Sequence, residues 1–291
     1  MKKARKRMLW IGAVLLLVGA VIIFFNVNDS PLKREFHRDV KSLAETSNDL
    51  DVNGVFQKEE FADFPMAIQR YLEHCGYIGT LKMTYMKMEY HDVDFMQSKN
   101  GPALTIDYTQ YNFIAQPSRL ALIDSGLYGI PFEGYDYFLN GKGGMKGIIG
   151  KLICLFHQTG EEMDRACLAT FLAECLFAPT SLLQDYITLE ELDEHHIQAT
   201  ISCKDLTASG VFTFNDNWEM VLFTTEDRRN IASDGTVEQV PWSAVCGEYR
   251  ENSDGILHPT VFQAVWNYEE GDFIYFDGNV DRISYAYGKK K

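Results

Sequence analysis

From Tyr77 to the C-terminus apolar residues recur at every second position, and this period is broken once, by "RACLATFLAECLFAPTSLL" at residues 165–183. Alternation of this kind marks strands with one buried face, and Gly, Pro and Asn between the runs mark turns. Before the break stand "IGTLKMTYMKMEY", "PALTIDYTQYNFIAQ", "RLALIDSGLYGI" and "FEGYDYFLNGKGGMKGII"; Asn140–Gly141 inside the fourth is a hairpin signal. After it come "HIQATISCK", "SGVFTFND", "WEMVLFTTED", "GTVEQVPWSAVCGEYRE", "GILHPTVFQAVWNYEEG" and "DFIYFDGNVDRISYAY". A sheet this wide curls, splits or closes, and a helix inserted at its middle packs on the concave face. The expected fold is α+β: a large curved antiparallel sheet of about 10–11 strands, packed on an N-terminal helix and a mid-sheet helical insertion.

The insertion reads as a helix over residues 161–178, stopped by Pro179 and followed by a second, kinked helix in "TSLLQDY". At about 100° per residue, Leu168, Phe171, Leu172, Cys175 and Leu176 share one face. Glu174 falls about 120° away, beside Cys167, Thr170 and Phe177, so the helix is apolar nearly all round and belongs inside. Glu174 is also the only charge between Arg165 and Asp185. A carboxylate taken out of water costs several kcal/mol unless it is paired or neutralised. Three readings follow: an ion pair with Arg165, Arg228 or Arg229; a carboxylate that binds a ligand's polar head or acts as an acid or base; or a solvent-exposed glutamate under a loop. Trp242 and Tyr249, among many strand aromatics, are the candidate walls of a ligand groove.

The N-terminus is a separate object. "MKKARKR" carries five positive charges, and residues 8–25, "MLWIGAVLLLVGAVIIFF", carry none. Eighteen helical residues rise about 27 Å, close to the roughly 30 Å hydrocarbon core of a bilayer. A signal peptide would have a shorter apolar run and end at small residues, whereas this one ends in "VIIFFNVNDS". The expected organisation is a cytoplasmic basic tail (1–7), a transmembrane helix (8–25), a juxtamembrane helix and linker (26–55), and a folded domain outside the cytoplasm (56–291). That domain opens with an amphipathic helix in "FPMAIQRYLEHCG", with Ile68, Tyr71, Leu72 and Cys75 on one stripe.

Charge narrows the partners. Without the five basic charges of the tail the net charge of −14 becomes −19 on residues 26–291, which repels phosphate backbones and excludes nucleic acid. The six cysteines include no C-x-x-C pair, and Cys167 and Cys175, about 12 Å apart on one helix, cannot bond to each other. "LEELDEHH" at residues 189–196 is a solvated turn rather than a metal site, because contiguous ligands cannot converge; "YHDVD" around His91 fares no better. "NGKGGMKGIIGK" lacks the ending of a phosphate loop and reads as a hairpin. No motif implies a cofactor, a metal or a nucleophile.

Taken in order, "FPMAIQRYL", "RACLATFLAECLFAPTSLL", "TTEDRR", "VPWSAVCGEYRE" and "PTVFQAVW" resemble an uncharacterised bacterial family, a domain of unknown function, across nearly the whole region after the linker. A pattern of that family falls on Arg165, Glu174, Pro179 and Thr180, with Leu168 offset, and the departure near Arg165 leaves Glu174 the better match. The resemblance implies no activity. The topology is also similar to periplasmic lipoprotein carriers, unclosed barrels that hold acyl chains under helical lids. The reading favoured is a single-span membrane protein binding a hydrophobic or amphipathic ligand, or a protein partner, between sheet and helices. A hydrolase-type enzyme using Glu174, with a histidine such as His157 or His258, and a contact module sensing the envelope are the alternatives.

Overall fold

Thirteen strands form one antiparallel sheet in the computed structural model, which describes residues 2–47, 54–96, 98–99, 101–127, 129–231 and 235–288. Helices α1 (Lys2–Asn26), α2 (Pro31–Ser47) and α3 (Met66–His74) precede the sheet. Strands β1 (Met83–Met96), β2 (Ala103–Phe113), β3 (Ser118–Leu127), β4 (Ile130–Leu139), β5 (Lys142–Ile149) and β6 (Ile153–Thr159) then run as a meander. Helix α4 (Glu161–Glu174) follows. The second half holds β7 (Ile187–Glu191), β8 (His196–Cys203), β9 (Leu206–Phe214), β10 (Met220–Thr225), a small pair β11 (Asn230–Ile231) and β12 (Val237–Glu238), β13 (Trp242–Glu251), β14 (Leu257–Tyr268) and β15 (Gly271–Tyr287). The linker expected around residues 48–53 lies outside the described residues.

The sheet order is β6-β5-β4-β3-β2-β1-β15-β14-β13-β10-β9-β8-β7. Each half is a meander, and the two join where β1 pairs with β15, Met88 opposite Ile283 and Phe95 opposite Phe276. Strands β6 and β7, neighbours in sequence, are therefore the two outer edges. Helix α4 connects them and packs on both wings, against β4 and β5 on one side and β8 and β9 on the other. Asn140 (φ 55°) and Gly141 (φ 76°) form the expected β4–β5 turn, and its Asn140 carbonyl accepts a hydrogen bond from Lys204 in the β8–β9 turn. The curved sheet thus closes toward itself across α4.

The two faces follow the period of two. On β3, Arg119, Ala121 and Ile123 face α4, while Leu120 and Leu122 face the other way and bury against Leu32 and Phe36 of α2. Ion pairs tie α2 to this outer face: Lys33 to Asp124, and Glu35 to Lys146 at 2.6 Å; the Tyr135 hydroxyl adds a hydrogen bond to Asp39 at 3.0 Å. Helix α3 sits at the end of the strands that carries the β9–β10 turn. Its stripe of Ile68, Tyr71, Leu72 and Cys75 is fully buried.

Beyond Glu174 the expected longer helix and second kinked helix are replaced by two 3-10 turns, Cys175–Phe177 and Pro179–Leu183. Pro179 has no N–H to continue the ladder, and side chains take the freed carbonyls. The Ser181 hydroxyl donates to Cys175 and Ala178, Tyr71 to Leu176, and Tyr77 to Phe177. All six cysteines are free thiols; Cys75, Cys167, Cys175 and Cys246 are buried and Cys154 is exposed on β6.

Helix α1 stands clear of the domain, with its apolar side chains exposed along its length. It is long and apolar enough to cross a membrane. Its last turn touches the β5–β6 turn: the buried Lys151 ammonium donates to the carbonyls of Phe24 (2.8 Å) and Val27, and the Phe25 ring approaches Gly150. A cation on the last carbonyls of a helix complements its dipole and satisfies acceptors that have no partner within the helix.

Candidate functional site

Helix α4 is held close to β5 by a glycine. Gly143 lets the helix backbone approach, its N–H donates to Asp164 at 2.7 Å, and the same buried carboxylate accepts from Lys142 at 2.7 Å. This contact fixes the first turn of α4 and so sets where its last residue, Glu174, falls. Glu174 points at the concave face of β2 and β3. Its Oε2 accepts from Gln110 (2.7 Å), Asn112 (2.7 Å) and Arg119 Nε (3.0 Å).

Arg119 is the hub. Its Nη1 donates to Asp136 on β4 at 2.7 Å, and its Nη2 donates to the Tyr108 hydroxyl at 2.6 Å and to Gln110 at 2.9 Å. The side chain is 6% exposed, against 18% for Glu174 and 22% for Asp136. Burial alone would lower the pKa of Arg119, but Glu174 above all, with Tyr108 and Asp136, overrides it and holds the pKa above its ordinary value. One cation and two carboxylates leave this cluster with a net charge of about −1.

The cluster forms one end of a half-open cavity between the sheet and α4. The cavity volume is about 140 Å³, room for on the order of ten waters. Its walls are mainly apolar: Tyr90, Phe95, Ile123, Met145, Phe177, Phe262 and Phe276. Arg228, Trp242 and Tyr275 stand toward the other end: register places Tyr275 eight residues along β15 from Ile283, which shares a row with Gln110. Burial pushes the thiols of Cys167 and Cys246 and the phenols of Tyr90 and Tyr108 up. These thiols, of which Cys246 lines the cavity, are therefore kept protonated, the opposite of what a nucleophilic cysteine needs.

The sequence candidates separate. Glu174, Arg228 and Trp242 line the cavity. The ion-pair partner of Glu174 is Arg119, not Arg165, Arg228 or Arg229. Arg165 pairs along its own helix with Glu161 at 3.1 Å, because it lies on the outward side of α4, and Arg229 reaches Glu162 at 3.3 Å. Tyr249 is held beneath the sheet end by donating to the Met220 carbonyl at 2.8 Å, away from the cavity. His157 contacts the Tyr137 hydroxyl at 3.2 Å, and buried His258 contacts the Pro259 carbonyl at 3.0 Å, so neither meets Glu174. "LEELDEHH" is a hairpin end in which Asp193 accepts from the backbone of His195 and His196. Among the described residues no three potential ligands gather for a metal.

Arg119, Asp136, Gln110 and Asn112 escaped sequence reasoning. A signal was present in "SRLALID", where a single arginine interrupts a strand that is apolar on both faces. A charge there must find a partner, as Glu174 must.

Residues 54–278 match the family described as "Family of unknown function (DUF6544)". The chain belongs to DUF6544. Every cavity-lining residue lies inside the DUF6544 region, whereas α1 and α2 lie before it. Four of the five segments that carried the resemblance in sequence converge on the cavity: α4 with its 3-10 turn, "TTEDRR", "VPWSAVCGEYRE" and "PTVFQAVW". No curated protein matches the chain. Among solved structures it is similar to a "putative outer membrane lipoprotein-sorting protein domain" from Vibrio parahaemolyticus, with 9% identity, 77% of this chain and 94% of that chain covered, and a TM-score of 0.41. A DUF1329 family protein from Desulfovibrio piger gives 11% identity, coverage of 77% and 93%, and a TM-score of 0.41.

Proposed function

We propose that this protein is anchored in the membrane by α1 and binds a hydrophobic or amphipathic ligand in the cavity between α4 and the sheet, outside the cytoplasm. The observation that carries the reading is the cavity itself: aromatic and aliphatic walls between two charged ends, the usual composition of a site for an apolar ligand with a polar group. The test is titration with N-phenyl-1-naphthylamine, a neutral probe that fluoresces in apolar surroundings. One equivalent is expected to bind the wild type. Ala244→Phe, which adds a ring to the cavity wall without touching the Arg119 cluster, is expected to weaken binding at least tenfold with an unchanged melting temperature. Absence of binding to the wild type would sink the reading.

The anchor is supported by the contact of Lys151 and Gly150 with the last turn of α1, an arrangement that a cleaved leader would take away. The basic residues before the span favour a cytoplasmic N-terminus. The β5–β6 turn beside α1 and the first residue of β6 also expose Leu152 (72%) and Ile153 (63%), suited to the bilayer interface. After alkaline extraction of membranes the full-length chain is expected in the pellet. Its release into the supernatant would contradict the anchor.

A further inference from the structure

Arg228 differs from the arginines around it. Arg119, Arg165 and Arg229 each face a carboxylate, in a chain whose 41 acids outnumber its 27 basic residues. Arg228 has no carboxylate within ion-pair distance among the described residues. Its guanidinium carbon lies 4.4 Å from the centre of a Trp242 ring, 5.5 Å from Trp266 and 5.8 Å from Tyr275, and among the described residues its one hydrogen bond is donated to the Tyr275 hydroxyl at 2.7 Å. About four of its five N–H donors are thus unspent on acceptors among the described residues.

Tyr275 adds a second observation. Its hydroxyl accepts from Arg228 and from the Trp242 indole N–H at 3.1 Å. A hydroxyl has two lone pairs and one proton, so with both lone pairs engaged its proton has to point to a further acceptor. Guanidinium and phenol together present donors and no acceptor to the space beside them.

The preceding turn holds Arg228 in place. Asp227 accepts from the backbone N–H of Ser209 (2.7 Å) and its hydroxyl (2.8 Å), the Asp227 N–H donates to the Thr225 hydroxyl (2.9 Å), and that hydroxyl donates to the Ser209 carbonyl (2.5 Å). A cation fixed in this way and stacked on aromatic rings loses little freedom on binding an anion. Beyond it the walls are Phe95, Phe262 and Phe276, which no small hydrophilic anion would use.

Resting on the proposed cavity function, we propose that the ligand is an anionic amphiphile whose carboxylate or phosphate is held by Arg228 and the Tyr275 hydroxyl while its apolar body lies along the cavity. The sheet end that carries Trp242, Trp266 and Tyr275 is the same strand end that carries the β5–β6 turn beside α1. The head-binding end therefore faces the bilayer from which such a ligand is drawn.

Tryptophan fluorescence reports on the site directly, because Trp242 lines it. Full-length protein in nanodiscs of zwitterionic lipid is titrated with palmitate, hexadecyl phosphate, hexadecanol and hexadecyltrimethylammonium, and separately with acetate and inorganic phosphate. Palmitate or hexadecyl phosphate is expected to bind about tenfold to a hundredfold tighter than hexadecanol. The better of the two identifies the head, carboxylate or phosphate. Arg228→Gln is expected to bring the ratio of anion to alcohol close to one, and Arg228→Lys to restore part of it. Equal binding of palmitate, hexadecyl phosphate and hexadecanol, or an equal loss for all of them in Arg228→Gln, would overturn the anion site and leave the apolar cavity standing. Acetate or inorganic phosphate binding as tightly as the long-chain anions would overturn the amphiphile. No response to any amphiphile would overturn both this inference and the cavity function.

Discussion

Arg119→Leu is expected to lower the melting temperature of the detergent-solubilised protein by about 6–20 °C, the largest effect of any single substitution at the cavity. The change leaves Glu174 and Asp136 facing each other without their cation, and strips Tyr108 and Gln110 of a donor. Breaking a buried pair from one side costs about 3–5 kcal/mol, and in a domain of this size each kcal/mol moves the midpoint by about 2–4 °C. Both carboxylates keep some contact with solvent, 18% and 22%, which draws the expectation toward the lower part of the range. Glu174→Gln should cost less, because Asp136 still balances Arg119 and the amide can accept from Gln110 and Asn112. The triple substitution Arg119→Leu, Glu174→Leu and Asp136→Leu should recover much of the loss, since a well-packed apolar replacement carries no stranded charge. Thermal unfolding followed by circular dichroism checks the order; an Arg119→Leu midpoint within about 2 °C of the wild type, less than one kcal/mol on that scale, would mean that the cluster is solvated and dispensable.

The same cluster shows what sequence can and cannot reveal. The burial of α4 was legible because its apolar residues cover every side of the helix, and Glu174 stood out as a charge requiring an answer. The identity of that answer was not legible. Arg119 lies 55 residues earlier, on a strand that meets α4 only because the sheet curves. The pairing of β1 with β15 that joins the two halves is likewise set by tertiary closure, with no local signal.

The strand count teaches a related lesson. The expected ten or eleven strands become thirteen, and the two additional ones are β6 and β7, the edges. β6, "ICLFHQT", is exposed on most positions of both faces, so it lacks the alternation that betrays a half-buried strand. β7, "ITLEE", is short and ends in acids, as edge strands do when they resist pairing with other chains. The central strands alternate because each has a core on one face. Edges are shaped by what must not pack on them, so their pattern fades where the helix crosses between them.

That crossing leads to the second large effect, Gly143→Val, expected to cost about 3 kcal/mol and to abolish ligand binding. A Cβ at residue 143 would lie 2.6 Å from the Met163 carbonyl oxygen, 2.9 Å from Cys167 Sγ and 3.0 Å from Asp164 Cα. Two of those three atoms are backbone, and no rotamer change relieves them; α4 itself has to move. Overpacking of this kind costs about 1–3 kcal/mol, and the value here belongs at the top because displacing α4 also stretches the Gly143–Asp164 hydrogen bond. Since Thr170, Ala173 and Glu174 of α4 line the cavity, the shift changes its shape along one whole wall. Gly144→Ala is the internal comparison: its Cβ points to the opposite face, where the three nearest atoms all belong to the Tyr137 side chain, which can turn aside. A melting midpoint about 6–12 °C lower for Gly143→Val, a smaller change for Gly144→Ala, and loss of N-phenyl-1-naphthylamine binding in the first alone are the expected results. If Gly143→Val keeps both its midpoint and its binding, α4 is not the rigid wall that the cavity requires.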